Sequence, residues 1–372
     1  MRCNEELASP NPLGGFSYEG RMIMKMIRLE KVGWALCDEI LHPKIEFKRM
    51  HRSNSGVLSS FTMKAFCLTL VVTGLLCGCK GMRHADSIPI IDTHIHLYDT
   101  TRPEGLPWPP PSDTVLYRPI LPSDFDQVCE ANQITATVIV EASEWAADNQ
   151  WVLDLVQHDP DRYIGLVGSL EIGTPQFSQH LKALSRDERY VGIRLRERPG
   201  GEHFFKSEDV WKDLTLLSEM DQTLDVLMFQ FSLEEVDMIA KRLPRLRILI
   251  NHVAGADIKG EPADPAWVAA VEKVAQNPNV HCKISGLFQQ SHRQPSPKDV
   301  AFYRPQLDVL WKAFGKDRLI YGSNWPVTMR GGTYEEYLSI IQAYFADKPR
   351  KVQEKFFYQN ALQFYGLAPL RR

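Results

Sequence analysis

The stretch "IIDTHIHLYD" (90–99) places two histidines, His94 and His96, two positions apart behind an apolar run and Asp92. Side chains alternate faces along a strand, so positions i and i+2 point the same way. If "IPIID" (88–92) is a buried strand, its end presents two imidazoles side by side, an arrangement that can grip one metal ion. The residues just after a first apolar strand also separate fold classes. A doubly wound open sheet favours a glycine-rich turn there, and here the residues are histidines.

Outward from that stretch, short apolar runs alternate with longer amphipathic segments. After "IPIID" come "ITATVIVEA" (134–142), "YIGLVGSLEI" (163–172), "YVGIRLR" (190–196), "LDVLMF" (224–229), "LRILINH" (246–252), "VHCKISG" (280–286) and "RLIYGSN" (318–324). Between them lie segments of helical spacing, among them "NQWVLDLVQHDP", "SLEEVDMIAKRLP" and "DPAWVAAVEKVAQNP", the last two closing at Pro244 and at Asn277-Pro278. Strands that are almost continuously apolar, each followed by a helix, imply a parallel sheet covered on both faces. Eight such units predict an α/β protein of the (β/α)₈ TIM-barrel class, with strands beginning at about residue 88.

The 372 residues are 44% hydrophobic and 24% charged, an ordinary globular balance, and the net charge of −3 excludes the basic stripe of a nucleic-acid binder. Ahead of the strands, "MKAFCLTLVVTGLLCGCKG" (63–81) carries Lys64 and then an uncharged apolar run, too short to span a bilayer but suited to a signal segment. It ends in Leu76-Cys77-Gly78-Cys79, which looks like a lipobox with Cys79 as the lipid-accepting residue. The expected organisation is therefore a start at Met63 with 1–62 untranslated or disordered, a lipoprotein signal over 63–79, and one barrel over 80–372. The expected location is that of a bacterial lipoprotein facing the periplasm or cell surface, with membrane contact through the lipid alone. Only Cys129 and Cys282 remain in the body, which points to buried thiols and not to a disulfide framework.

In a barrel, chemistry gathers at the C-terminal ends of the strands. Those ends carry His94 and His96, Glu141, Glu171, Arg194 and Arg196, Gln230, His252, Ser285 and Asn324. Alone, His252 reads as a hydrogen-bonded structural residue. With His94 and His96 it becomes a stronger signal, because strands one and six open on the same mouth. Three neutral imidazoles suit Zn²⁺ and leave a fourth position for water. Mn²⁺ and Fe²⁺ accept the same ligands.

The blocks "IIDTHIHLYD", "LRILINHVAG", "VHCKISGL" and "RLIYGSNWPV", in this order, resemble the amidohydrolase-related family. The branch is that of sugar-acid lactonases and 2-pyrone-4,6-dicarboxylate lactonase. The likeness runs from about Ile88 to the terminal "NALQFYGL" (360–367). It implies a hydrolase opening a lactone, or a related ester or amide, of a small sugar acid. By the same likeness His94, His96 and His252 line a metal or electrophile site, while metal-free operation stays open. Arg194 and Arg196 would clamp a substrate carboxylate, unless one of them makes a structural salt bridge, and Lys283 would hold an anionic substrate if its face of the strand meets the mouth. Tyr98 and Trp325 would contact the sugar; Trp108, in the Pro-rich first loop, reads first as a packing residue and second as part of an aromatic wall with Tyr98.

The strand-eight motif of that family reads G-[ST]-D-W-P, the aspartate serving as general base. Here it is Gly322-Ser323-Asn324-Trp325-Pro326. Asparagine cannot take the water proton, and general-base catalysis is worth about 10²–10⁴-fold. Three readings are open. Water is activated at the histidine site, with Glu171, Glu141 or Asp92 as substitute base. Or the reaction differs, as in a decarboxylase or hydratase of the superfamily. Or the protein is a non-catalytic sugar-acid-binding lipoprotein.

Overall fold

The structure is a computed structural model that describes residues 87–370 apart from 198 and 200. The expected start at Met63, the signal segment and Cys79 lie outside the described residues. Eight parallel strands succeed one another around a single sheet in the order of the chain. They are β1 (Ile91–Ile95), β2 (Ala136–Val140), β3 (Tyr163–Gly168), β4 (Tyr190–Leu195), β5 (Thr223–Val226), β6 (Ile248–Ile250), β7 (Val280–Ile284) and β8 (Leu319–Tyr321). Each is followed by a helix: α1 (Pro122–Asn132), α2 (Ala146–Leu155), α3 (Phe177–Leu184), α4 (Glu208–Glu219), α5 (Leu233–Arg242), α6 (Pro265–Val274), α7 (Val300–Phe314) and α8 (Tyr334–Phe345). This is the (β/α)₈ barrel expected from the sequence.

Local chemistry fixes several helix starts. Ser232 and Glu235 form a reciprocal capping box at α5, and Thr333 and Glu336 form another at α8. At α6 the Asp264 carboxylate accepts from the Ala266 and Trp267 amides, with Pro265 at the first helical position. Two apolar clusters divide the core. One contains Ile91, Val138, Val140, Val167, Leu249 and Ile320 from strands around the barrel and fills its interior, where Phe364 and Tyr365 of the C-terminal segment join it. The other lies between the sheet and its helices. Cys129 and Cys282 are both free and buried, as the apolar run around Cys282 implies for that residue.

The seam between β1 and β8 closes the sheet. Asn324 N donates to His94 O at 2.8 Å, His96 N donates to Trp325 O at 2.9 Å, and Ile95 bridges Trp325. The Asp92 carboxylate stitches the two edges. Its Oδ1 accepts from His94 N at 3.0 Å and from Ser323 N at 2.9 Å, while Oδ2 accepts from the Tyr334 hydroxyl of α8 at 2.8 Å. The register of β1 against β2 slips between Asp92 and Ile95. β1 runs on to Ile95, so His94 lies within it and His96 one residue beyond. This revises the expected strand, which was to end at Asp92.

Asp92→Ala leaves three buried donors without a partner, each worth about 1–3 kcal/mol. Urea unfolding should show a loss of roughly 3–5 kcal/mol. Asp92→Asn keeps the Oδ1 contacts, and its loss should be much smaller, near ~1 kcal/mol. Equal losses would remove Asp92 from the seam.

Candidate active site

A pocket of about 750 Å³ opens where the loops after the strands meet, and its walls include His96, His252, Asn324, Arg194, Arg196 and Trp108. That volume lies within the range of small-molecule sites. The three histidines expected to act together are together. The His94 and His96 rings meet edge to face with centroids 5.1 Å apart, and the His94 and His252 centroids are 4.6 Å apart.

Each ring is held differently. His96 Nδ1 sits 2.9 Å from Val140 O and 3.1 Å from Glu141 O, both acceptors, so Nδ1 carries the proton and Nε2 presents a lone pair. That Nε2 lies 3.3 Å from Asn324 Oδ1. His94 is fully buried, and neither of its ring nitrogens has a hydrogen-bond partner. Native structures rarely leave such atoms orphaned without a ligand or a function. His252 Nδ1 pairs with Ser285 Oγ at 3.0 Å, and the same oxygen accepts from the His252 amide.

The backbone at His252 is strained. Residues 252–255 all have positive φ, at 52°, 48°, 55° and 66° for His252, Val253, Ala254 and Gly255. A left-handed turn costs about 1–2 kcal/mol for each non-glycine residue, and a β-branched valine there is a true outlier. Trp267 Nε1 holds the turn by donating to Ala254 O at 2.9 Å. Gly286 allows the close approach of β7, since a Cβ there would lie 2.8 Å from His252 Nδ1. Strain retained in this way is characteristic of functional sites.

Burial and nearby positive charge keep the imidazoles neutral. His96 is pushed down to about 3, first by burial and then by Arg194. His94 and His252 are also held well below the usual imidazole range, burial again leading, with Lys283 next for His94 and Arg194 next for His252. Neutral imidazoles are what metal ligation requires. The donor chemistry thus fits a divalent ion, yet among the described residues no three His, Cys, Asp or Glu side chains are arranged as a ready metal cage.

Other expected residues are placed differently. Arg194 and Arg196 do line the pocket, but both bind Glu141: Arg194 Nε donates to Oε1 at 2.6 Å and Arg196 Nη1 donates to Oε2 at 3.1 Å. Glu141 is thus saturated by guanidinium groups and has no free oxygen to act as the substitute base. Asp92 is equally committed to the seam. Glu171 is exposed on the wall of a neighbouring pocket that shares Arg194 and Arg196 but none of the three histidines. Lys283, expected at the mouth, is fully buried in the barrel, its ammonium 2.8 Å from both Asp225 Oδ2 and Thr93 O and 3.1 Å from the Tyr365 hydroxyl. Tyr98 is buried, donates to Leu116 O and backs Trp108. Trp325 is buried against Phe125. Trp108 is therefore the one of these three aromatics that faces the pocket.

Sequence reasoning missed Gln289, Arg330 and Phe229, which share the pocket wall. Phe229 is 85% exposed at its rim. Their position in loops after strand ends is the single signal that could have marked them.

Residues 91–367 match the amidohydrolase family. The chain belongs to the amidohydrolase family. Among curated relatives, the L-fucono-1,5-lactonase of Burkholderia ambifaria is 29% identical over 254 residues, covering 66% of this chain and 83% of the relative. The L-fucono-1,5-lactonase of Burkholderia multivorans is 27% identical over 260 residues, covering 68% and 87%. In three dimensions, an amidohydrolase from Burkholderia multivorans crystallised with bound zinc superposes with a TM-score of 0.66 at 24% identity, covering 75% of this chain and all of that one. At that identity the superposition speaks for the fold. This amidohydrolase is an enzyme of the superfamily, on the branch that its lactonase relatives occupy.

Lys283→Met would strand the Asp225 carboxylate in the barrel and should lower stability by about 3–5 kcal/mol, with KM unchanged in the folded fraction. A raised KM with unaltered stability would put the ammonium on the substrate instead. Ser285→Ala should leave stability within about 1 kcal/mol. It should also reduce turnover roughly tenfold, because the His252 ring loses its one side-chain restraint.

Proposed function

We propose that this amidohydrolase opens the lactone of a sugar acid by water attack at the barrel mouth. The observation that carries the reading is the pocket in which His96, His252 and Asn324 face Arg196 and Trp108, on a chain whose curated relatives are L-fucono-1,5-lactonases. Water adds to the lactone carbonyl carbon, the ring C–O bond breaks, and the released oxygen takes a proton to leave a hydroxy acid.

The side chains divide that work. Arg194 and Arg196 share the Glu141 carboxylate, and Arg196 also lies 3.9 Å from Glu144 and 3.8 Å from Glu197. Arg196 is the more exposed of the two, and its longer pairs with Glu144 and Glu197 are the ones an anionic substrate would displace. Trp108, on the pocket wall, is the aromatic surface available to the apolar side of a sugar ring. With Asp92 and Glu141 committed and Glu171 remote, His252 is the residue left to accept the water proton, its ring aligned by Ser285. So weak a base restricts the enzyme to activated esters such as lactones.

One divalent metal, zinc first and manganese or iron as alternatives, fits His94 and His96, and when bound would polarise the carbonyl and acidify the water. Turnover without metal is the second form of the same proposal. A lipid on Cys79 would hold the enzyme at the periplasmic or outer face, where such substrates arrive. If so, the full-length chain partitions with membranes and Cys79→Ser releases it.

The test is acid release from a panel of aldonolactones, L-fucono-1,5-lactone first, followed with a pH indicator. Turnover is expected. Loss on chelation, restored by zinc, marks the metal-dependent form, and indifference to chelator marks the other. Silence on every lactone, from wild type and Asn324→Asp alike, would reject hydrolysis and leave a sugar-acid-binding protein.

A further inference from the structure

The side chains around Asn324 form a hydrogen-bonded chain with a carbonyl at each end. At one end His96 Nδ1 donates to Val140 O at 2.9 Å. At the other, Gln289 Nε2 donates to Val327 O at 2.8 Å. The second contact turns Gln289 Oε1 toward Asn324, whose Nδ2 donates to it at 3.2 Å. Asn324 Oδ1 is thereby aimed at His96 Nε2, 3.3 Å away. Backbone carbonyls can only accept, so donors point outward from both ends and two acceptors must meet in the middle. A neutral imidazole and a carboxamide cannot satisfy each other in that orientation. The gap between them requires an electropositive occupant.

We propose that Gln289 is a positioning residue that locks the Asn324 amide with its oxygen toward His96, so that Nε2 and Oδ1 form a two-atom seat for a divalent cation. Zinc bonds nitrogen and oxygen at about 2.0–2.2 Å, and two such bonds span 3.3 Å at close to a tetrahedral angle. A water donating a hydrogen to each acceptor would need them farther apart. The lock also accounts for asparagine at this position. A carboxylate at 324 would face Gln289 Oε1, and Gln289 could turn to donate only by opposing its oxygen to Val327 O. Gln289 and Asn324 are matched to each other.

This inference rests on the cation-dependent form of the proposed function, but its readouts need no turnover. In metal-free protein, nitrogen NMR should find His96 as the Nδ1–H tautomer and the Asn324 carboxamide protons protected from exchange. Gln289→Leu should abolish that protection and weaken zinc binding, measured calorimetrically, by about 10–100-fold. It frees Asn324 to turn and donate Nδ2–H to His96 Nε2, which fills the seat from within. In an Asn324→Asp background the same Gln289→Leu change should have little effect on zinc affinity, because a carboxylate presents an oxygen either way. An Nε2–H tautomer of His96, failure of the wild type to bind zinc, or unaltered zinc affinity in Gln289→Leu would each overturn the proposal. A metal-free lactonase would leave the proposed function standing and sink this inference alone.

Discussion

The Asp92 carboxylate binds the first strand of the barrel to the last, and the site exists because it does so. Its Oδ1 takes the amides of His94 and Ser323, one from each edge of the seam. That places β1 so that His94 O receives the Asn324 amide and Trp325 O receives the His96 amide. Residues 228 positions apart in sequence, His96 and Asn324, thus become neighbours in the pocket. Burial holds Asp92 above its ordinary carboxylate range, opposed by the hydrogen bonds from Ser323, His94 and Tyr334. A carboxylate isolated in a barrel wall would be costly, and three directed donors offset that cost. The Tyr334 bond extends the constraint to α8, so the outer helix layer is tied to the line on which the histidines sit.

Below the histidines the barrel interior is charged as well as apolar. The Lys283–Asp225 pair is fully buried, and Asn251 and the Tyr365 hydroxyl complete its hydrogen bonding. Tyr365 comes from the C-terminal segment, so this polar knot fastens the end of the chain to the strands. A buried pair of this kind is weak support for stability by itself. Its effect upward is clearer: Lys283 adds to the burial that keeps His94 neutral. An orphaned, neutral and enclosed imidazole is kept available in this way, with its lone pair neither protonated nor spent on a neighbour.

Much of this architecture was legible in the sequence, and the rest was hidden for physical reasons. All eight strands were found in order, because buried parallel strands are apolar runs that stand out from the amphipathic helices. Their ends were not. "LRILINH" is apolar for longer than β6 is hydrogen-bonded, since Ile248–Ile250 alone is strand and His252 already belongs to a left-handed turn. Strand alternation tells which way a side chain points, but not how deep in the barrel it ends. Lys283 points inward as expected and stops at Asp225, below the mouth. Glu141 looked free because Arg194, its partner, lies 53 residues away. The three histidines were found together because they sit at the C-terminal ends of strands one and six, which open on the same mouth, a rule that requires no knowledge of contacts.

Asn324 joins these constraints at one position. Its backbone is left-handed, with φ of 64°, a conformation asparagine tolerates better than most residues. Its side chain is buried, donates to Gln289 and turns its oxygen toward His96, so a neutral carboxamide occupies a shaped site. Such a site sees one less negative charge beside two arginines and three neutral imidazoles. That favours a ligand carrying its own oxygen density. A lactone carbonyl suits such a site, because water attack on an activated ester builds negative charge on an oxygen that the Arg194 and Arg196 guanidiniums on the pocket wall can meet.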